Sequence, residues 1–328
     1  MPSKGKPLFV NADELAASQI LETAAAPNGV RVFQKLRVAD VLFFERHDLS
    51  RDLHSYAKQS HFDFVISEKD PPHRALFAVE IDGTAHFESQ AIRNDKLKNK
   101  LCMICQFAIA RVKSPQSHHG ERGVASLTWL VELFFADRAI DEAYANGDIP
   151  PGEYLDPTLF LSNKSIPGKF PLALGLQNRA YIARLHDASL LSSPCATIMT
   201  ASDSTGRGYC MAIIQHGNRY AVVEDCVFLF GFVFLPEEGA EEIALDRLPV
   251  SGGKLNDKGW IDSTGLRHRL TGFLTKHSNA TLKHDHLGVD CGFTVTHDWK
   301  RRTWVVGKHG RSPEFSVTAP PDDPDSLA

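Results

Sequence analysis

A chain of 328 residues is long for one domain and comfortable for two. Its 43% hydrophobic and 23% charged content is that of a globular protein with material for a sizeable core. With 36 Lys+Arg against 40 Asp+Glu there is no global basic field, so any nucleic-acid surface has to be local.

No run of about 18 apolar residues occurs, which excludes a membrane-spanning helix. The longest apolar stretch, "CVFLFGFVFL" at 226–235, reads as buried strand. The start, "MPSKGKPLFVNADEL", lacks the apolar core of a signal peptide. Six unevenly spaced cysteines make no disulfide framework, so a reducing cytoplasm is the expected location.

In chain order, "NADELAASQILETAAA" (11–26) predicts a helix, with Asn11 and Glu14 as a capping-box pair. "VRVFQKLRVADVLF" (30–43) has strand character, and the polar region 44–60 reads as loop or broken helix. Strands are expected at 61–67 and 75–82, joined by the turn-rich "EKDPPH". A helix over about 87–105 and a strand at 106–112 follow, giving the order helix, strand, strand, strand, helix, strand of a small mixed α/β layer. A further helix over 124–147 puts Leu127, Leu130, Val131, Leu133 and Phe134 on one broad face. The expected division is a domain over 1–115, a helical extension and linker over 116–150, a β-rich domain over 151–318 and a disordered tail at 319–328. In the β-rich part the strand-like runs are "CATIMTAS", "YCMAIIQHG", "RYAVVEDCVFLFGFVFLP" and "RTWVVGKHG", with a helix near 263–277.

The chemistry concentrates in "HFDFVISEKDPPHRALFAVEIDGTAHF" (61–87). Strand alternation puts Glu80 and Asp82 on one face, and Asp63 lies in the neighbouring strand. If the two strands pair, three carboxylates converge, at a cost of several kcal/mol when uncompensated. A hard divalent cation, Mg²⁺ or Mn²⁺, removes that cost. The competing reading is pairing with Arg or Lys, or exposure at strand ends beside the "DG" turn.

"FDFVI…FAVEIDGTAH…RNDKLKNKLCMICQFAIARV" resembles the PD-(D/E)XK (restriction-endonuclease-like) nuclease superfamily, and within it the DUF2726 and very-short-patch-repair-like branch. The resemblance covers about residues 11–113. It implies an αβββαβ core in which Asp63 and Glu80 match the two metal-ligating acids, while Asp82 stands where the superfamily's usual motif has lysine. Lys98, on the following helix and sharing a face with Asp95, could reach back into the site; the alternative is a solvated lysine beside Lys96 and Lys100. Glu14 matches an acid that can complete the metal shell, and His86 is a candidate for orienting water or phosphate; a capping role for Glu14 and a surface role for His86 stay open.

The activity so implied is metal-assisted hydrolysis of phosphodiester bonds in nucleic acid, DNA by analogy, in defence against foreign DNA or in repair. The alternative is a non-catalytic nucleic-acid-binding or scaffolding module on a decayed nuclease fold. The C-terminal half would select substrate, bind a protein partner or pair with a second copy.

Other candidates are weaker. "CMIC" at 102–105 has zinc-like spacing but lies in a helix without a second pair, which favours buried thiols. His284, His286, Cys291 and His297 form a candidate zinc set without recognisable spacing. "STGRG" (204–208) lacks the GK[ST] of a phosphate loop, and no GxSxG elbow occurs. In "HDWKRRTWVVGKHGR" (297–311), Lys300, Arg301 and Arg302 between two tryptophans suit nucleic-acid contact. A hairpin with a solvated turn and tryptophans in the core fits the same residues.

Overall fold

Residues 12–45, 49–82, 89–113, 121–150, 152–153, 174–251, 254–277, 280–284, 293–298, 303–308 and 313–318 are described by a computed structural model. The class is α/β: mixed sheet with helices. Among these residues no helix is long and apolar enough to cross a membrane. The chain divides into two compact units, residues 1–172 with 228–233, and residues 173–227 with 234–328.

In the first unit α1 (Ala12–Ala25) leads into β1 (Val30–Gln34), then the short α2 (Val38–Val41) and α3 (Arg51–Gln59). β2 (Phe64–Glu68) and β3 (Ala75–Asp82) follow, then α4 (Ser89–Ile104), β4 (Ala108–Lys113) and α5 (Glu121–Asn146). The strands lie in the order β1-β2-β3-β4. The first two pairings are antiparallel and β3/β4 is parallel, so α4 is the crossover that a parallel pair requires. The expected order of elements is therefore present, with α2 and α3 inserted between the first two strands. Where a loop or broken helix was expected, Ser50 Oγ accepts the Leu53 N–H and starts α3. That helix buries only Leu53 and Ala57, too few apolar residues to show as a periodic face.

α4 closes on Gln106 in the left-handed region (φ 54°), with the Phe107 N–H bonded to Cys102 O at 2.9 Å, which turns the chain into β4. Both faces of the sheet are covered, so the central strands read as continuous apolar runs. Val65, Ala78 and Ile109 pack with Phe62, Leu101, Cys102, Leu53 and Phe228 on the α4 side. Phe77 stacks against Phe134 at 4.3 Å between centroids and meets Phe232 at 5.7 Å on the other side. Full burial of each such aromatic stabilises the fold by about 2–3 kcal/mol. All five residues expected on the broad face of α5 are buried. Gly231 lies so close to Ala108 that a Cβ there would sit 2.8 Å from the alanine Cβ.

In the second unit α6 (Leu176–Asp187) precedes β5 (Thr197–Ser202), β6 (Arg207–His216) and β7 (Arg219–Phe230). Next come α7 (Pro236–Asp246), β8 (Val250–Ser251), β9 (Lys254–Leu255), β10 (Trp260–Ile261) and α8 (Ser263–Lys276). β11 (Thr281–His284) pairs antiparallel with β5. β12 (Phe293–Asp298), β13 (Thr303–Lys308) and β14 (Pro313–Thr318) form a separate antiparallel meander. Leu266, Leu270, Phe273 and Leu274 of α8 pack on Met199, Met211, Ile213 and Tyr220. α7 lies against β6 at Gly208, where a Cβ would meet the Pro236 carbonyl carbon at 2.1 Å, so the close approach requires glycine. The expected α8 is present; α6 and α7 add helical structure to a half that reads from sequence as β-rich.

Candidate active site

Asp63, Glu80 and Asp82 lie on the face of the first unit's sheet that α4 covers. Phe64 pairs with Val79, which sets Asp63, one residue before β2, opposite Glu80. Glu80 is in turn the register partner of Arg111 on β4. Three strands and one helix therefore aim charged groups at one place.

Each carboxylate accepts a backbone N–H from the neighbouring segment: the Asp63 N–H donates to Glu80 Oε1 (3.2 Å), and the Ile81 N–H donates to Asp63 Oδ2 (3.0 Å). The second oxygen of each carboxylate meets a lysine. Lys98 Nζ lies 2.7 Å from Glu80 Oε2 and donates to His61 O at the same distance. Lys35 Nζ lies 2.7 Å from Asp63 Oδ1 and 2.9 Å from Glu14 Oε1. Asp82, the third expected metal ligand, accepts a hydrogen bond from Arg111 Nη1 at its Oδ1, at 3.2 Å. The same nitrogen donates to Asp95 at 2.7 Å and lies 3.7 Å from Glu80. The physical reason is register, because Arg111 lies beside Glu80 on the next strand and its guanidinium spans both acids of β3.

Burial grades the site. The Glu80 and Arg111 side chains are 5% and 1% exposed and that of Lys98 9%, whereas Asp63 is 19% and Lys35 38% exposed. Solvent therefore reaches the network at the Asp63–Lys35 end and at Asp95. Burial pushes the Glu80 carboxyl above its ordinary range, Lys98 and Arg111 pull it back, and Asp63 pushes it further up. Burial opposes the charge on Lys35, but its hydrogen bonds and attraction to Asp63 and Glu14 win and raise its pKa. Arg111 is raised too: Glu80, Asp82 and Asp95 together outweigh its burial. Burial and then Glu80 drive the Tyr56 hydroxyl and the Cys102 thiol upward, so both stay protonated. Cys102 is accordingly a buried thiol of "CMIC", with Cys105 half-buried.

Asp63, Glu80, Asp82, Lys98, Asp95 and Glu14 are thus brought into one connected network. Sequence reasoning missed Lys35 and Arg111. Arg111 carried the same signal as the acids, a charge inside the apolar run "AIARV". Lys35 carried none, since it lies in a polar turn. His86, Asn11, Lys300, Arg301 and Arg302 lie outside the described residues, as do His286 and Cys291 of the zinc set.

Among the described residues no three acidic, His or Cys side chains form a ready metal cage. Asp63 and Glu14 do converge on one positive centre, the Lys35 ammonium.

Residues 6–127 match the family described as "Protein of unknown function (DUF2726)". The DUF2726 segment contains the whole network, from Glu14 to Arg111, and ends before the second unit begins. No curated protein and no solved structure matches the chain.

Proposed function

We propose that the DUF2726 segment is a metal-dependent nuclease of the PD-(D/E)XK type that hydrolyses phosphodiester bonds, in DNA by analogy with that superfamily. The observation that supports this most is the Asp63–Glu80 pair: two carboxylates on adjacent segments, each held by a backbone N–H of the other segment, partly exposed at Asp63 and carrying Lys98 at the buried end. Asp63 and Glu80 would hold Mg²⁺ or Mn²⁺, with Glu14 as a further oxygen ligand. Bound there, such an ion supplies an acidified water and charge neutralisation at the phosphate.

The chain's own groups have separate tasks in this account. The Asp63 and Ile81 backbone N–H groups fix one oxygen of each carboxylate, so the pair is oriented before anything binds. Lys98, pinned by His61 O, offsets part of the burial that pushes the Glu80 carboxyl up. Asp82 and Asp95 hold the Arg111 guanidinium beside Glu80.

The second reading, a non-catalytic nucleic-acid-binding module on this fold, draws on the engagement of Asp82 by Arg111 and of Glu80 by Lys98, which neutralises these acids internally. Calorimetric titration with Mn²⁺ separates the two. The nuclease reading expects binding that Glu80→Gln abolishes; absence of Glu80-dependent binding rejects it and leaves the binding module.

A further inference from the structure

We infer that Lys35 is a resident counter-ion that the divalent cation displaces, so that metal binding and release of the Lys35 ammonium are one event. This rests on the metal reading above and adds to it a gate built from this chain's own residue.

The Lys35 ammonium touches carboxylate oxygens of Glu14 on α1 and of Asp63 at the start of β2, at 2.9 and 2.7 Å. Two acids from separate elements thus already converge on one cation-sized point. A divalent ion and an ammonium cannot both contact the same Asp63 oxygen, because two positive centres at that separation repel strongly. One must leave, and exposure decides which.

The Lys98 and Arg111 side chains are 9% and 1% exposed, so neither can withdraw into water without a large rearrangement. The Lys35 side chain is 38% exposed, and an ion pair so open to solvent holds its partners only weakly. Lys35 is therefore the cation that exchanges. Its backbone stays in place when the ammonium leaves. The Lys35 N–H donates to Asp63 O at 3.0 Å, independently of the side chain. The released ammonium remains within one side-chain length of the carboxylate pair, a position from which it can meet an anionic ligand.

The test uses the full chain and two readouts that need no activity. Calorimetric titration with Mn²⁺ compares wild type with Lys35→Met, which keeps the aliphatic stem and removes the charge. Loss of the competing ammonium should tighten Mn²⁺ binding about tenfold. In parallel, acetylation of lysines is followed by mass spectrometry with and without Mn²⁺, and modification of Lys35 should rise several-fold when metal is added. This second readout is made on the wild-type protein and decides the matter if Lys35→Met fails to fold. Glu80-dependent Mn²⁺ binding with no tightening in Lys35→Met, or with Lys35 equally protected in both states, overturns the gate and leaves the metal site standing. No Glu80-dependent binding in either protein removes the metal reading and the gate together.

Discussion

Lys98 Nζ lies 2.7 Å from Glu80 Oε2 with both side chains almost wholly removed from solvent, and His61 O takes a second ammonium proton at 2.7 Å. A buried pair of this kind is costly to assemble and more costly to break, because the surviving partner keeps its charge without compensation. Lys98→Met should therefore destabilise the protein by about 3 kcal/mol in urea denaturation. An unchanged midpoint would show that water reaches Glu80 and that the pair carries no structural load.

Arg111 is the planar counterpart of that pair. One guanidinium nitrogen serves both Asp82 and Asp95, and the other points to Asn99 Oδ1 at 3.5 Å. A lysine keeps the charge but cannot span these acceptors with a fixed fork. Arg111→Lys should cost about 2 kcal/mol of stability despite conserving charge. Denaturation of this variant beside Arg111→Leu checks the point: equal stability of wild type and Arg111→Lys would mean that charge alone suffices.

The raised Glu80 carboxyl carries a definite pH signature. A group whose pKa is higher in the folded state contributes its stability below its ordinary value, here 4.5, and loses it as pH rises through the folded value. Measured as Tm against pH upward from 4.5, wild type should lose ground relative to Glu80→Gln. Parallel curves would indicate that Lys98 and Arg111 cancel the cost of burial completely.

In the second unit His277 closes α8 and packs on Tyr209, with ring centroids 4.0 Å apart, and on Phe273 at 4.8 Å. Burial lowers its pKa from 6.5 to about 4; Asp203 opposes the shift and Lys276 adds to it. A histidine depressed in this way contributes stability above pH 6.5 that is lost as pH falls toward about 4. His277→Gln should flatten the acid limb of the Tm profile in that window. An NMR titration of the imidazole with its midpoint near the ordinary 6.5 would contradict the placement of this ring.

What could be read from the sequence follows from the range of the interactions. β3, α4 and β4 lie within two residues of expectation because their signals are local: alternation, an apolar helical face, and turn residues between them. Opposition of Asp63 and Glu80 was legible once two adjacent strands were expected, since "EKDPPH" is short enough to make an antiparallel pair. The partners of these acids were not. Lys35 reaches Asp63 from 28 positions away and Arg111 reaches Asp82 from 29, and only strand register brings them together. α3 was hidden by its polarity. α7 follows directly on a long apolar run that reads as strand, and its buried Glu241 and Glu242 are engaged by Arg179 and, for Glu242, by the Gly175 N–H, both more than 60 positions earlier.

The proposed service of Asp63 and Glu80 in phosphodiester hydrolysis is tested most directly on DNA itself. Purified protein should be incubated with supercoiled plasmid and with single-stranded DNA in Mg²⁺ or Mn²⁺, beside Glu80→Gln. Cleavage by wild type, abolished by EDTA and absent in the variant, is the expected result of the proposed activity. Cleavage that persists in Glu80→Gln would contradict it, as would no cleavage of either substrate together with no Glu80-dependent Mn²⁺ binding.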